Sequence, residues 1–361
     1  MMKQDLISVL ASLRQALAYD YRIVAMPQAE RPVFLAVSLP LTSEVTGIKP
    51  RLPSGRGLSL LQALVSAGAE AVELRASLAW SHADRIAALP RHDGLSIVEA
   101  TDLCSGGRVF VPAQMVFLDH ATATAEPLQT DARSTGCATG PDHQIATQHA
   151  LMECIERDAI VFWWHGGVAA QSLALEMIDP LAPRLCWWLQ NRARQTRLLG
   201  LRSDTGVPVV VAVSADPDGS RVAYGAAAEF DATAACLRAV TELVQTEVSF
   251  AAALSAGSVE AVTWQNYADV HRQPQFQPDK TGAPSSWAAL DWPNLLDQMT
   301  ALKLPALSVD LTLPEDPFPT VRVLVPDLCD MGGRIDTPRF RRHAGMTDPG
   351  QQPALHHPEP F

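Results

Sequence analysis

Three stretches of this chain place oxygen-bearing side chains three residues apart inside otherwise apolar segments. They are AGAEAVEL with Glu70 and Glu73, ALMECIER with Glu153 and Glu156, and AVTELVQ with Glu242 and Gln245. The surrounding Ala and Leu favour helix, and a spacing of three puts each pair on one helix face. Ser66 accompanies the first pair, His149 and Arg157 the second, and Arg238 the third. Like charges so placed repel even in water, and burial multiplies the cost. Something must neutralise them. An internal salt-bridge network using Arg75, Arg157 and Arg238 is the simpler account of any one pair. A hard cation such as Mg²⁺, held by carboxylates, water and phosphate oxygens, is the better account of three helices with one pattern.

The rest of the chain frames these helices. Leu6, Val9, Leu10, Leu13 and Leu17 recur with helical spacing and predict an amphipathic first helix. VFLAVSL (33–39) reads as a strand, SGRG (54–57) as a phosphate-cradling loop, and 58–80 as the first acidic helix. Short strands are expected near 95–100 and 115–118, a small-residue loop over 131–141, and the second acidic helix over 144–164. VPVVVAVS (207–214) and 221–227 flank Asp216-Pro217-Asp218-Gly219, which predicts a hairpin because Pro presets φ and Gly accepts positive φ. The third acidic helix is expected over 232–254, a surface excursion over 266–292, a helix over 295–303, and strands over 306–311 and 321–325. Alternating helices and hairpin-like strands predict an α/β (α+β) fold with a mixed or antiparallel sheet. The domain expectation is an N-terminal helix (1–29), one large domain (30–345) and a Pro-rich tail (346–361).

Composition excludes several classes. With 47% hydrophobic and 19% charged residues, the chain is not a low-hydrophobicity disordered protein. A net charge of −11 argues against broad nucleic-acid binding, which needs clustered cations. The six cysteines show no CxxC spacing, so they read as reduced, buried thiols of a cytoplasmic protein. Cys137 and Cys154 are better read as structural than reactive. The start lacks a signal peptide's apolar run, and no stretch of about 18 apolar residues suggests a membrane span. Walker A, GxGxxG, GxSxG and HExxH patterns are absent. The pairs Trp163-Trp164 and Trp187-Trp188 read as core and rim packing.

SGRGLSLLQALVSAGAEAVELR, STGCATGPDHQIATQHALMECIERDA and GAAAEFDATAACLRAVTELVQ, in this order, resemble the YcaO family, as does VDLTLPEDPFPTVRVLVPDL. The resemblance covers roughly 30–330. It implies a YcaO-type α/β domain with internally duplicated helix/sheet halves around an ATP·Mg²⁺ site. It also implies an activity: ATP-dependent O-phosphorylation of a peptide backbone amide in a ribosomally made precursor, giving azoline heterocycles (cyclodehydration) or thioamides. Amidines are a further product class.

Carried over residue by residue, Glu70, Glu73, Glu153, Glu156 and Glu242 match metal-holding positions. Arg56, Ser66, His149, Arg157, Arg238 and Gln245 match cofactor-side positions. Glu153, Glu156 and the terminal Phe361 are the expected catalytic groups. Arg56 stands where the family commonly has Lys, and His149 where Asn is common. The end HPEPF only partly matches the PxPxP of azoline-forming members. WWHGG after the second acidic helix is similar to members that work with TfuA-type partners. The implied partners are a precursor peptide and a separate TfuA-like or E1-like, leader-binding protein; a homodimer is compatible with the sequence. The rival readings are a non-catalytic peptide-binding scaffold and modification of a full-size protein such as a ribosomal protein. The intact set of five glutamates favours the enzyme.

Overall fold

The structure is a computed structural model that describes residues 5–27, 29–42, 52–130, 132–330 and 335–345. They group into two compact units. One comprises Met1–Glu30, Phe34–Leu151 and Lys303–Pro326; the other Arg31–Val33, Met152–Leu302 and Asp327–Phe361.

In the first unit, strands Tyr21–Ala25, Phe34–Pro40 and Ser54–Gly57 form an antiparallel sheet. Helices Leu6–Ala16 and Leu60–Ser77 pack with it. Leu10, Leu13, Leu17, Ile23, Ala67 and Val72 fill this core, so the N-terminal periodicity does what its pattern predicts. SGRG, expected as a loop, is a strand. Gly55 is there for close approach and not for a turn: a Cβ on it would lie 2.1 Å from the Ala67 backbone nitrogen.

The second sheet of this unit is antiparallel and runs Arg91–His92, Leu95–Asp102, Leu307–Asp310, Thr320–Leu324, Cys137–Thr139, with Arg108–Pro112 also paired to Leu95–Asp102. Cys137–Thr139 lies within the stretch expected to be a loop. The strand expected at 115–118 is not formed. Ala113–Met115 is a 3₁₀ turn, and Val116, Phe117 and Leu118 are buried in the core instead. A short apolar run cannot by itself distinguish a strand from a buried turn.

The second unit has a mixed five-stranded sheet in the order Ala223–Ala228, Val209–Ala215, Gln195–Leu201, Gln171–Leu173, Lys280–Thr281. Its final pair is parallel and the others antiparallel. The predicted hairpin is present, closed by Gly219 at φ +88. Helix Ala232–Ser255 packs on the sheet, and a Cβ on Gly225 would lie 2.2 Å from the Leu243 nitrogen. The strand–Gly–helix contact at Gly55 is thus repeated at Gly225. Trp163, Trp164, Trp264 and Phe276 form an aromatic core. The 266–292 stretch therefore does more than cover the surface: Val270, Gln275 and Phe276 are buried, and Gln275 accepts at its carbonyl from the Trp163 indole at 2.7 Å. Trp187 lies on the surface, and Arg192 stacks over Trp188. Five of the six cysteines are buried and all six are free. Among the described residues, no helix is long and apolar enough to cross a membrane.

Candidate functional site

The acidic residues fall on three long helices: Leu60–Ser77, His143–Trp164 and Ala232–Ser255. The register is the same in each. Ser66, His149 and Arg238 are followed four residues later by Glu70, Glu153 and Glu242, and three further on by Glu73, Glu156 and Gln245. Four and seven residues bring a helix back to nearly the same face, so each helix aligns three polar groups in one row.

In the first unit, Glu70 is exposed, while Ser66 and Glu73 are half-buried. Arg56 lies opposite Leu35 in the sheet. The helix start is closed by its own capping box. The Ser59 hydroxyl accepts from the Gln62 N–H, and the Gln62 carbonyl accepts from the Ser59 N–H. The expected anion cradle at this terminus is thereby partly filled by the chain itself. Arg75 does not neutralise Glu73 in the way a local network requires. It is buried, donating to the Ala16 carbonyl at 2.8 Å and Asp20 at 2.6 Å and pairing with Asp316.

In the second unit, Glu153, Glu156 and Arg157 project from one helix and Arg238, Glu242 and Gln245 from the other. Arg157 reaches Glu156 at 3.2 Å and Glu153 at 3.5 Å. Arg238 pairs with Glu229, just beyond strand Ala223–Ala228. Burial pushes the Glu156 carboxyl up to about 7, with Glu242 and Glu153 adding to the rise against Arg157 and Arg238. Burial opposes the charge on Arg157, yet Glu156, Glu153, Tyr224 and Glu242 push its pKa up. Three carboxylates thus act on Arg157, while Arg157 and Arg238 both act on Glu156.

That cluster of acids is the test of fit for a bound cation. Among the described residues, no group of three or more His, Cys, Asp or Glu side chains is arranged to hold a metal by itself. Mg²⁺ seldom uses such a cage. It takes one or two carboxylates and completes its octahedron with water and phosphate oxygens. The all-oxygen donors and the clustering of acids fit Mg²⁺ carried by a nucleotide. Phe361 lies outside the described residues.

Sequence reasoning missed a second buried charge system on the same helix. Asp158, two residues after Glu156, accepts from Arg339 at 2.6 Å and from the Cys329 N–H at 2.8 Å. Arg339 also pairs with Asp204, which His343 contacts at 3.0 Å. Asp158 was visible as the D of ECIERDA, but its partner lies 181 residues away.

The family model described as "YcaO cyclodehydratase, ATP-ad Mg2+-binding" matches residues 81–329. The chain belongs to the YcaO family, whose cofactors are ATP and Mg²⁺. A Rhizobium leguminosarum bv. trifolii protein, described as an uncharacterized protein in the tfuA 3′ region, is 29% identical over 164 residues. That match spans 41% of this chain and 38% of the relative. Among solved structures, a heterocyclase in complex with substrate and cofactor is similar at TM-score 0.82 and 18% identity, covering 99% of this chain and 58% of that one. YcaO from Methanopyrus kandleri, bound with AMPPCP and Mg²⁺, is similar at TM-score 0.67 and 21% identity, covering 91% and 92%. An Escherichia coli microcin synthetase McbBCD complex with pro-MccB17 is similar at TM-score 0.63 and 14% identity, covering 85% and 88%. These likenesses establish a shared mixed α/β fold.

Proposed function

We propose that this chain is an ATP-dependent peptide-modifying enzyme that activates backbone amides of a ribosomally made precursor, giving azolines or thioamides. The observation that carries the reading is the buried Glu156 carboxyl, which lies beside Arg157 and Glu153 and is pushed up to about 7 by burial and by Glu242 and Glu153. When bound, ATP and Mg²⁺ supply a transferable phosphoryl group and the positive charge that steadies its transfer. Phosphorylation turns the amide oxygen from a poor leaving group into a good one, so a Cys, Ser or Thr side chain or an external sulfide can displace it. Glu153, Glu156 and Glu242 hold the cation. Arg157 offsets part of the charge of the first two acids and orients them, and Arg238 and Gln245 face the nucleotide. In the first unit, Glu70 and Glu73 serve a second cation position, with Ser66 and Arg56 on the phosphate side, and His149 has the corresponding place on the second helix.

In this reading the catalytic domain is the expected 30–345 segment. Phe361, at the end of the 346–361 tail, acts near the amide being activated. Deleting the last five residues tests this: the truncated protein should bind ATP and lose peptide modification, and a normal rate would remove the tail from the mechanism. The tfuA context of the relative supports a TfuA-like partner protein. The deciding experiment is mass spectrometry of a precursor peptide co-expressed with this chain and that partner. Water loss identifies azoline formation, and exchange of oxygen for sulfur identifies thioamide formation. An unmodified peptide together with absent ATP consumption would refute the enzyme reading.

A further inference from the structure

The first unit contains a largely apolar concavity that the ATP reading does not use. It has a volume of about 390 Å³ and is walled by Ala79, Ala83, Ile86, Ala87 and Ala123, with Trp80 at its rim. Its polar groups are Ser96, Thr124, Arg91 and Glu126. The Glu126 side chain is only 4% exposed, yet it is firmly placed. The Ser96 hydroxyl donates to its Oε1 at 2.6 Å, and the Ser96 N–H lies 3.4 Å from Oε2. The following loop is pinned by Gln114, whose amide donates to the Pro127 carbonyl and accepts from the Gln129 and Thr130 N–H groups.

The charge on this carboxylate is met mainly by hydrogen bonds and not by a close, buried cation. The hydroxyl and amide contacts of Ser96, with His120 and Arg91, hold its pKa down despite burial, so it is ionised. Burial pushes the neighbouring His120 toward its neutral form, and its Nδ1 is 3.9 Å away. The cation in range is Arg91, 3.8 Å away with a side chain 66% exposed, on the two-residue strand Arg91–His92. A solvated pair at that distance contributes little and is easily replaced.

We propose that this groove binds a basic side chain of a peptide, its ammonium or guanidinium group docking on Glu126 and its alkyl stem lying along the Ala and Ile wall. A buried, ionised carboxylate at the end of an apolar groove is complementary to a cation on a hydrocarbon stem. Trp80 adds an aromatic face at the mouth. Ala83, Ala87 and Ala123 are exposed, so the groove is open along one side and a peptide backbone can remain outside while its side chain enters. Arg91 is then the internal stand-in that the ligand displaces. The site works without nucleotide, so its test is separate from that of the ATP reading.

The test is a titration of the nucleotide-free protein carrying 5-fluorotryptophan, with the Trp80 resonance assigned by Trp80→Phe. Acetyl-lysine-N-methylamide and acetyl-arginine-N-methylamide should shift that resonance saturably, and acetyl-norleucine-N-methylamide should not. Glu126→Gln should weaken binding by about ten-fold or more, the scale of one lost charge-assisted hydrogen bond. Ala123→Leu, which fills the groove and leaves the carboxylate intact, should do the same and guards against misfolding of the first variant. Equal binding of norleucine, or unchanged lysine affinity in a folded Glu126→Gln or Ala123→Leu protein, would overturn the proposal.

Discussion

Glu156 and Asp158 are two residues apart on one helix, and both are buried. Their surroundings differ completely. Asp158 has a dedicated guanidinium at 2.6 Å and a backbone N–H at 2.8 Å. Glu156 shares its guanidinium with Glu153 and faces Glu242 as well. A buried carboxylate with a full set of partners is a clamp, because removing the partner strands a charge. A buried carboxylate short of partners is a binding site, because an incoming cation relieves it. The lesson is that burial of an acid says little until its partners are counted.

The sharpest way to break this comparison is to neutralise one acid of the Glu153–Glu156 pair. Glu153→Gln or Glu156→Gln should abolish turnover and leave the fold intact, with a thermal midpoint no lower than that of the parent. Wild-type ATP consumption in the presence of substrate would remove these acids from the cation site.

The opposite result is expected at the clamp. Among the described residues, Arg339→Met preserves volume but leaves Asp158 with only the Cys329 N–H and Asp204 with only His343, and should cost about 3–5 kcal/mol of stability in urea unfolding. Combining it with Asp158→Asn should recover part of that loss. A loss below about 1 kcal/mol would reduce the clamp to an ordinary surface pair.

The smallest effect is in the acid range. Burial works against the Asp204 charge, but His343 and Arg339 hold its carboxyl down to about 2. The folded state therefore binds this proton less readily than the unfolded chain. Its contribution is present above the ordinary value of 3.8 and is lost as pH falls toward 2. Between those limits Asp204 should account for about 1–2 kcal/mol, and Asp204→Asn should flatten that part of the stability curve. An unchanged slope in the variant would show that another group dominates the acid transition.

A comparison of two glycines shows where the sequence was legible and where it misled. The hairpin turn at Asp216–Gly219 was readable because its geometry is local: Pro and positive-φ Gly specify it within four residues. Gly55 in SGRG looked like part of a similar loop. Its reason is non-local, the backbone of Ala67 lying where its Cβ would be. Helices Leu60–Ser77, His143–Trp164 and Ala232–Ser255 were legible to within three residues because small and apolar residues recur with a helical period. Strands Arg108–Pro112 and Gln195–Leu201 were missed because exposed polar residues interrupt or flank their short apolar runs.

The sequence by itself determined the three acidic rows, since helical periodicity and a spacing of four and then three place Ser66, Glu70 and Glu73, and their counterparts, on one face. It also carried enough ordered motif to identify the family. Only the tertiary structure decided which charges are matched. Arg75, Arg157 and Arg238 looked equivalent as neutralisers, but Arg75 pairs with Asp20 and Asp316, Arg238 with Glu229, and Arg157 with Glu153 and Glu156. The reason is that a helix face is set by local geometry, whereas an ion pair is set by distance and dielectric, and both depend on segments that meet only after the chain has folded.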